Sequence, residues 1–146
     1  MPLSFLTGLE NAWSWVNCMP ILKFKNLNYF GIRDCDTFEV NLIYNQKINV
    51  FRNVSDIINI IELHEFKHFH ISFDVDSLDP SVMPSTGTRS DLGIELDEIE
   101  YLFNYIKSQK KSINLDIVEY NPLIGTDEEK EISKRTIKKL IDTLYT

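Results

Sequence analysis

The chain has 146 residues and a formal net charge of −7, from 15 Lys and Arg against 22 Asp and Glu; this is one domain's worth of sequence. The acidic balance excludes a basic nucleic-acid-binding surface, because the basic steps Lys134-Arg135 and Lys138-Lys139 fit a helix terminus instead. There is no run of 18 apolar residues to span a membrane, and the apolar start lacks a basic n-region, so Cys18 and Cys35 read as reduced thiols of a cytoplasmic protein.

Taken in order, Met1–Leu9 is apolar and helix-like, and Trp13 and Trp15 are expected to cover that helix against a sheet. The first strand is read over Asn28–Arg33, after which Asp36 is placed to cap a short helix reaching Leu42–Tyr44. Ile48–Phe51 is a second strand. Ser55 is the expected N-cap of the next helix, with Ile57, Ile58, Ile60 and Ile61 inward. His64, His68 and His70 suggest a zinc site, but a helix-to-strand change falls between Phe66 and Phe69, and no Cys or acidic third ligand is near in sequence. His70 is also at the far end of its strand from the acids that follow.

The central stretch is His68–Phe73 followed by Asp74-Val75-Asp76-Ser77-Leu78-Asp79-Pro80, read as a buried strand that delivers carboxylates at its carboxyl end. While the chain stays extended, Asp74 and Asp76 leave the same face and repel. A shared proton or a hard, oxygen-loving cation relieves that repulsion; closing a turn before Pro80 is the plainer role. Pro84–Thr88 is a turn-rich loop in which Gly87 permits close approach or positive φ and the hydroxyls bond a ligand or their own backbone.

A helix follows over Leu96–Ile106, with Leu96, Ile99, Leu102, Phe103 and Ile106 on one face. The last strand, Ile113–Val118, places Glu119 at its carboxyl end, where a carboxylate can pair with a helix N-terminus. Thr126 and Glu129 form a capping box for a final helix with Ile132, Ile137, Leu140, Ile141 and Leu144 inward. The coarse architecture is four strands alternating with helices, a parallel α/β unit.

Three motifs in fixed order, Ser72-Phe73-Asp74-Val75-Asp76-x-Leu78-Asp79-Pro80, Pro84-x-Thr86-Gly87-Thr88 and Asp116-Ile117-Val118-Glu119-x-Asn121-Pro122, resemble the ureohydrolases, and arginase most closely. The resemblance implies a three-layer α/β fold, a mostly parallel sheet with helices on both faces. It also implies a pair of manganese ions at the carboxyl ends of the strands, and hydrolysis of a guanidinium group to urea. Carried over residue by residue, it gives Asp74 and Asp76 as metal ligands and Glu119 as the guanidinium clamp. Asp36, Glu39 and Thr88 are the remaining substrate-binding residues. Departures are Thr37-Phe38 where Pro-Gly is usual, Ser77 for Gly and Arg89 for Pro. Arg89 is expected to set a second cation beside a cationic substrate.

The resemblance covers only the carboxyl-terminal half of one ureohydrolase domain, residues 1–146. The family's Gly-Gly-Asp-His and Asp-Ala-His-x-Asp motifs and its catalytic His-Gly are not found in the sequence. Three readings follow: half of an arginase, inactive alone and completed by a separate amino-terminal half or by self-association; a non-catalytic remnant that binds a partner; or a ureohydrolase of agmatine type. The Asp36-x-x-Glu39 pair favours an amino-acid substrate.

Overall fold

The computed structural model describes residues 2–9 and 22–146, so Trp13, Trp15 and Cys18 lie outside the described residues. The chain divides into two compact units, Met1–Arg52 and Asn53–Thr146.

The first unit contains α1 (Pro2–Thr7), β1 (Asn28–Phe30), α2 (Thr37–Gln46) and β2 (Asn49–Phe51). β1 and β2 pair in parallel, with Tyr29 opposite Val50. Asn49 Nδ2 donates to Asn28 Oδ1 at 2.9 Å. β1 is shorter than the expected Asn28–Arg33 because Gly31 turns to φ +71, a left-handed conformation that glycine accepts and a strand does not. The N-cap reading of Asp36 holds. Its Oδ1 accepts from the Glu39 N–H at 2.8 Å, and Glu39 Oε2 accepts from the Asp36 N–H at 2.9 Å. The two acids therefore satisfy each other's otherwise orphaned donors at the first turn of α2.

The second unit contains α3 (Val54–Leu63), β3 (His68–Asp74), α4 (Leu96–Ser108), β4 (Ser112–Val118) and α5 (Asp127–Tyr145). β3 and β4 pair in parallel from His68↔Ser112 to Asp74↔Val118. The alternation of strands and helices predicts parallel crossovers, and both pairs are parallel. It does not tell which strands share a ladder, and hydrogen bonding groups them as β1 with β2 and β3 with β4.

β3 is half-buried, not buried throughout as expected. Phe69, Ile71 and Phe73 turn inward, while His68, His70 and Ser72 are exposed beside Asn114 and Asp116 of β4. On that polar face His70 Nε2 lies 3.1 Å from Asp116 Oδ2. On the inward face Phe73 meets Phe103 edge-on, ring centres 5.8 Å apart. Ile99, Leu102 and Ile106 of α4 and Leu140 and Leu144 of α5 complete the core with Val75, Leu78 and Met83.

Two helix readings change. The N-cap of α3 is Asn53, not Ser55: Asn53 Oδ1 accepts from the Asp56 N–H at 3.0 Å and from the Ser55 hydroxyl at 2.7 Å. α3 ends at Leu63, so His64 and His68 stand on different elements. The buried stripe of α5 is Ser133, Thr136, Leu140 and Leu144, with Ile132 and Ile137 half-buried and Ile141 exposed. The hydroxyls displace the isoleucines because they are hydrogen-bonded to a loop that crosses the helix, which an apolar-periodicity argument does not register.

Past β3 the chain makes a tight turn over Val75–Ser77 and then pairs with a distant segment. The Ile94 N–H donates to Ser77 O at 2.8 Å, and the Asp79 N–H donates to Ile94 O at 3.1 Å. Gly93 permits this closure. A Cβ there would lie 2.3 Å from Asp79 N and from the Leu78 carbonyl carbon, both backbone atoms that cannot swing aside. Gly93→Ala is expected to cost about 3 kcal/mol, read as a lowered urea midpoint at unchanged slope by far-UV circular dichroism.

Candidate active site at the carboxyl end of the second sheet

Because Asp74 is paired with Val118, the acid that ends β3 and the acid that follows β4, Glu119, emerge at the same end of one ladder. This is where open α/β sheets carry their ligands. The extended-chain argument for Asp74 and Asp76 does not hold, since the chain turns at once. Asp74 Oδ1 accepts from the Asp76 N–H at 3.1 Å, and the Ser77 hydroxyl donates to Asp74 O at 2.6 Å. Asp74 is the cap of that turn, and both acids are half-buried. Asp79 is engaged locally too: the hydroxyl and N–H of Ser81 hold its carboxyl below the usual range.

The loop after the acids is fixed from beneath by α5. The Ser85 N–H donates to Ser133 Oγ at 3.0 Å, and the Thr136 hydroxyl donates to Val82 O at 2.6 Å. The Ser85 hydroxyl donates to Ile124 O at 3.1 Å, and the Asn121 N–H donates to Ser85 O at 3.0 Å. Ser85 and Thr86 are thus buried, whereas Gly87, Thr88 and Arg89 are exposed. Gly87 has no positive φ and no described protein atom near an added Cβ, so the fold itself does not require glycine there. Arg89 is held by Glu129, Nη1 to Oε1 at 3.0 Å. The same Glu129 closes the capping box of α5. The Thr126 N–H, and after it Arg89, hold the Glu129 carboxyl below its ordinary range.

Glu119 differs from the other acids. It is exposed, makes no side-chain hydrogen bond among the described residues, and has φ +64. For a side chain other than glycine this left-handed conformation costs about 1–2 kcal/mol. It sits between two different pairings: Val118 belongs to the parallel ladder, whereas Tyr120 forms an antiparallel bridge with Thr86. Glu119 is the single residue at the corner. It also lines a concavity of about 480 Å³ with Ile117, Tyr120, Lys134, Ile137, Lys138 and Ile141. Asp74, Asp76 and Thr88 do not line it.

Asp36 and Glu39 belong to the first unit, and the carboxylates of both are committed to the capping box of α2. Among the described residues, no three His, Cys, Asp or Glu side chains gather in a way that would hold a metal ion. Tyr120, Ser133, Thr136 and Gly93 were not anticipated from the sequence. Two hydroxyl residues at i, i+3 on the inward face of a helix were the signal for Ser133 and Thr136.

With this geometry in view, the comparison with known proteins is decisive. The model of the arginase family matches residues 5–146. The chain belongs to the arginase family. It is 33% identical over 142 residues to an arginase of Glaciozyma antarctica, covering 85% of this chain and 41% of that one. It is 32% identical over 155 residues to an Entamoeba histolytica arginase, covering 99% and 51%. The crystal structure of Entamoeba histolytica arginase in complex with L-ornithine superposes with a TM-score of 0.74 at 32% identity, over 84% of this chain and 44% of that one. Bacillus caldovelox arginase shares the fold, with a TM-score of 0.83 at 22% identity over 99% and 52%. The parallel strands and flanking helices are those of arginases, and the chain spans about half the length of the relatives it matches, as a carboxyl-terminal half does.

Glu119→Gly is expected to stabilise the fold, because glycine adopts φ +64 without strain. The relieved strain outweighs the added chain entropy by about 0.5–1 kcal/mol. Chemical denaturation of the two proteins side by side checks the sign.

Proposed function

We propose that this chain supplies the carboxyl-terminal half of an arginase active site, hydrolysing the guanidinium group of L-arginine to urea and ornithine. The observation that carries the reading is Glu119, an unengaged carboxylate held in a strained conformation at the strand end it shares with Asp74, in a chain of the arginase family. A planar carboxylate accepts two parallel N–H bonds from a planar guanidinium, which an ammonium cannot offer. In this reading Glu119 orients the group to be cleaved and Thr88 lines the substrate pocket. Asp36 and Glu39 are substrate-binding positions by family resemblance alone; within their own unit each gives one oxygen to the capping box of α2.

The manganese pair of the family is a sterner test of the residues present. Two divalent ions require about six oxygen or nitrogen ligands each. This chain offers Asp74, with one oxygen already accepting a backbone N–H, and Asp76. The residues described do not fit a binuclear centre by themselves, so no hydrolytic step is assigned to the chain alone. The proposal is that Asp74 and Asp76 are a partial ligand set, completed by an amino-terminal half or by another copy.

A second observation favours association. Parallel sheets are almost always covered on both faces, and here the His68, His70 and Ser72 face of β3 is open. This also suits a non-catalytic remnant that binds a partner. Cytoplasmic placement is part of the proposal as well. It draws on Cys35, a free thiol. Among the described residues, no helix is long and apolar enough to cross a membrane.

The test mixes the purified chain with the amino-terminal half of an arginase, with manganese, and measures urea from L-arginine and from agmatine. The expected result is urea from the mixture only, arginine preferred, and about a 100-fold loss in Glu119→Gln. Associated halves that release no urea would leave the remnant reading, and a preference for agmatine would move the substrate.

A further inference from the structure

Two buried side-chain oxygens have no hydrogen-bond partner among the described residues, Thr86 Oγ1 and Tyr120 OH. They belong to the two residues joined by the antiparallel bridge that follows Glu119. Residues directly opposite in such a bridge send their side chains to the same side of it. Native proteins seldom leave buried hydroxyls unpaired, and where protein groups do not serve them an ordered water does. Position 120 is also the unspecified place in the Glu119-x-Asn121-Pro122 motif, so nothing in the family resemblance assigns Tyr120 a part.

We propose that Tyr120 and Thr86 are positioning residues for Glu119. Their hydroxyls bind one buried water between them, and this link holds the left-handed corner from which the carboxylate projects. The inference rests on the reading of Glu119 as the guanidinium-binding acid for its purpose, though not for its geometry. Tyr120 suits the task because it stands next to Glu119 and lines the same concavity. Thr86 is 3% exposed in a segment fixed by Ser133 and Ile124, so the far side of the link is immobile. A Glu119 left without the link is free to exchange its strained φ for an ordinary one.

The experiment uses the full chain and four variants, Tyr120→Phe, Thr86→Val, their double, and Thr86→Ser, which keeps the hydroxyl. Backbone couplings and shifts of Glu119 are read by NMR, and unfolding is read by urea. Tyr120→Phe and Thr86→Val are each expected to lower the folding equilibrium constant roughly two- to tenfold, with the Glu119 couplings moving away from positive φ. The double variant should be little worse than either single, since both remove one shared link, and Thr86→Ser should behave as the parent. Unchanged or higher stability on deleting either hydroxyl, or Glu119 couplings that do not move, would overturn the inference.

Assaying Glu119→Gln for urea in the mixture with an amino-terminal half separates this result from the functional reading. Unchanged urea release by Glu119→Gln, with Glu119 couplings that respond to Tyr120→Phe, defeats the reading of Glu119 as the guanidinium acid and keeps the positioning link. The reverse pattern keeps that reading and defeats the link.

Discussion

The parallel ladder between β3 and β4 is the constraint from which the rest of the second unit follows. Its register sets Asp74 opposite Val118, so the chain must dispose of two acidic ends at one edge of the sheet. It does so by turning each strand sharply. After β3 the turn over Val75–Ser77 is stitched to Ile94 through a passage that only glycine at 93 can fill. After β4 the turn is a single residue, and that residue is a glutamate where glycine would be easier. The two corners differ: at Gly93 the backbone leaves no room for a side chain, whereas the left-handed corner after β4 carries one.

The loop that joins these corners is held by the last helix, not by its own sequence. Ser133 and Thr136 place their hydroxyls on backbone groups of Ser85 and Val82, and the Arg89–Glu129 pair fastens the loop to the first turn of the same helix. Each of the two hydroxyl bonds is worth about 1 kcal/mol, and the segment they hold, Pro84 to Thr86, is buried while Gly87 to Arg89 lie at the surface. The loop assembled this way has a firmly held floor and a short accessible rim. The rim includes Thr88, the residue that the family resemblance assigns to substrate.

Much of this was legible in the residues and some was not. The parallel α/β pattern, the cap at Asp36, the capping box at Thr126 and the inward face of α4 follow from periodicity and cap chemistry, which are local. The relation of Asp74 to Asp76 was misjudged because alternation applies only while a strand continues, and Asp74 is its last residue. The buried stripe of α5 was misplaced because hydroxyls that bond a remote loop look polar in a sequence and behave as core. The left-handed Glu119 had no local signal at all; it lies where two pairings of opposite sense meet at one residue.

If this chain holds only part of a metal-dependent site, as proposed, calorimetric titration of the purified chain with manganese, with an Asp74→Ala/Asp76→Ala control, gives weak binding of at most one ion, abolished in the control. Tight binding of two ions by the chain alone, or binding indifferent to the loss of both aspartates, would contradict that proposal.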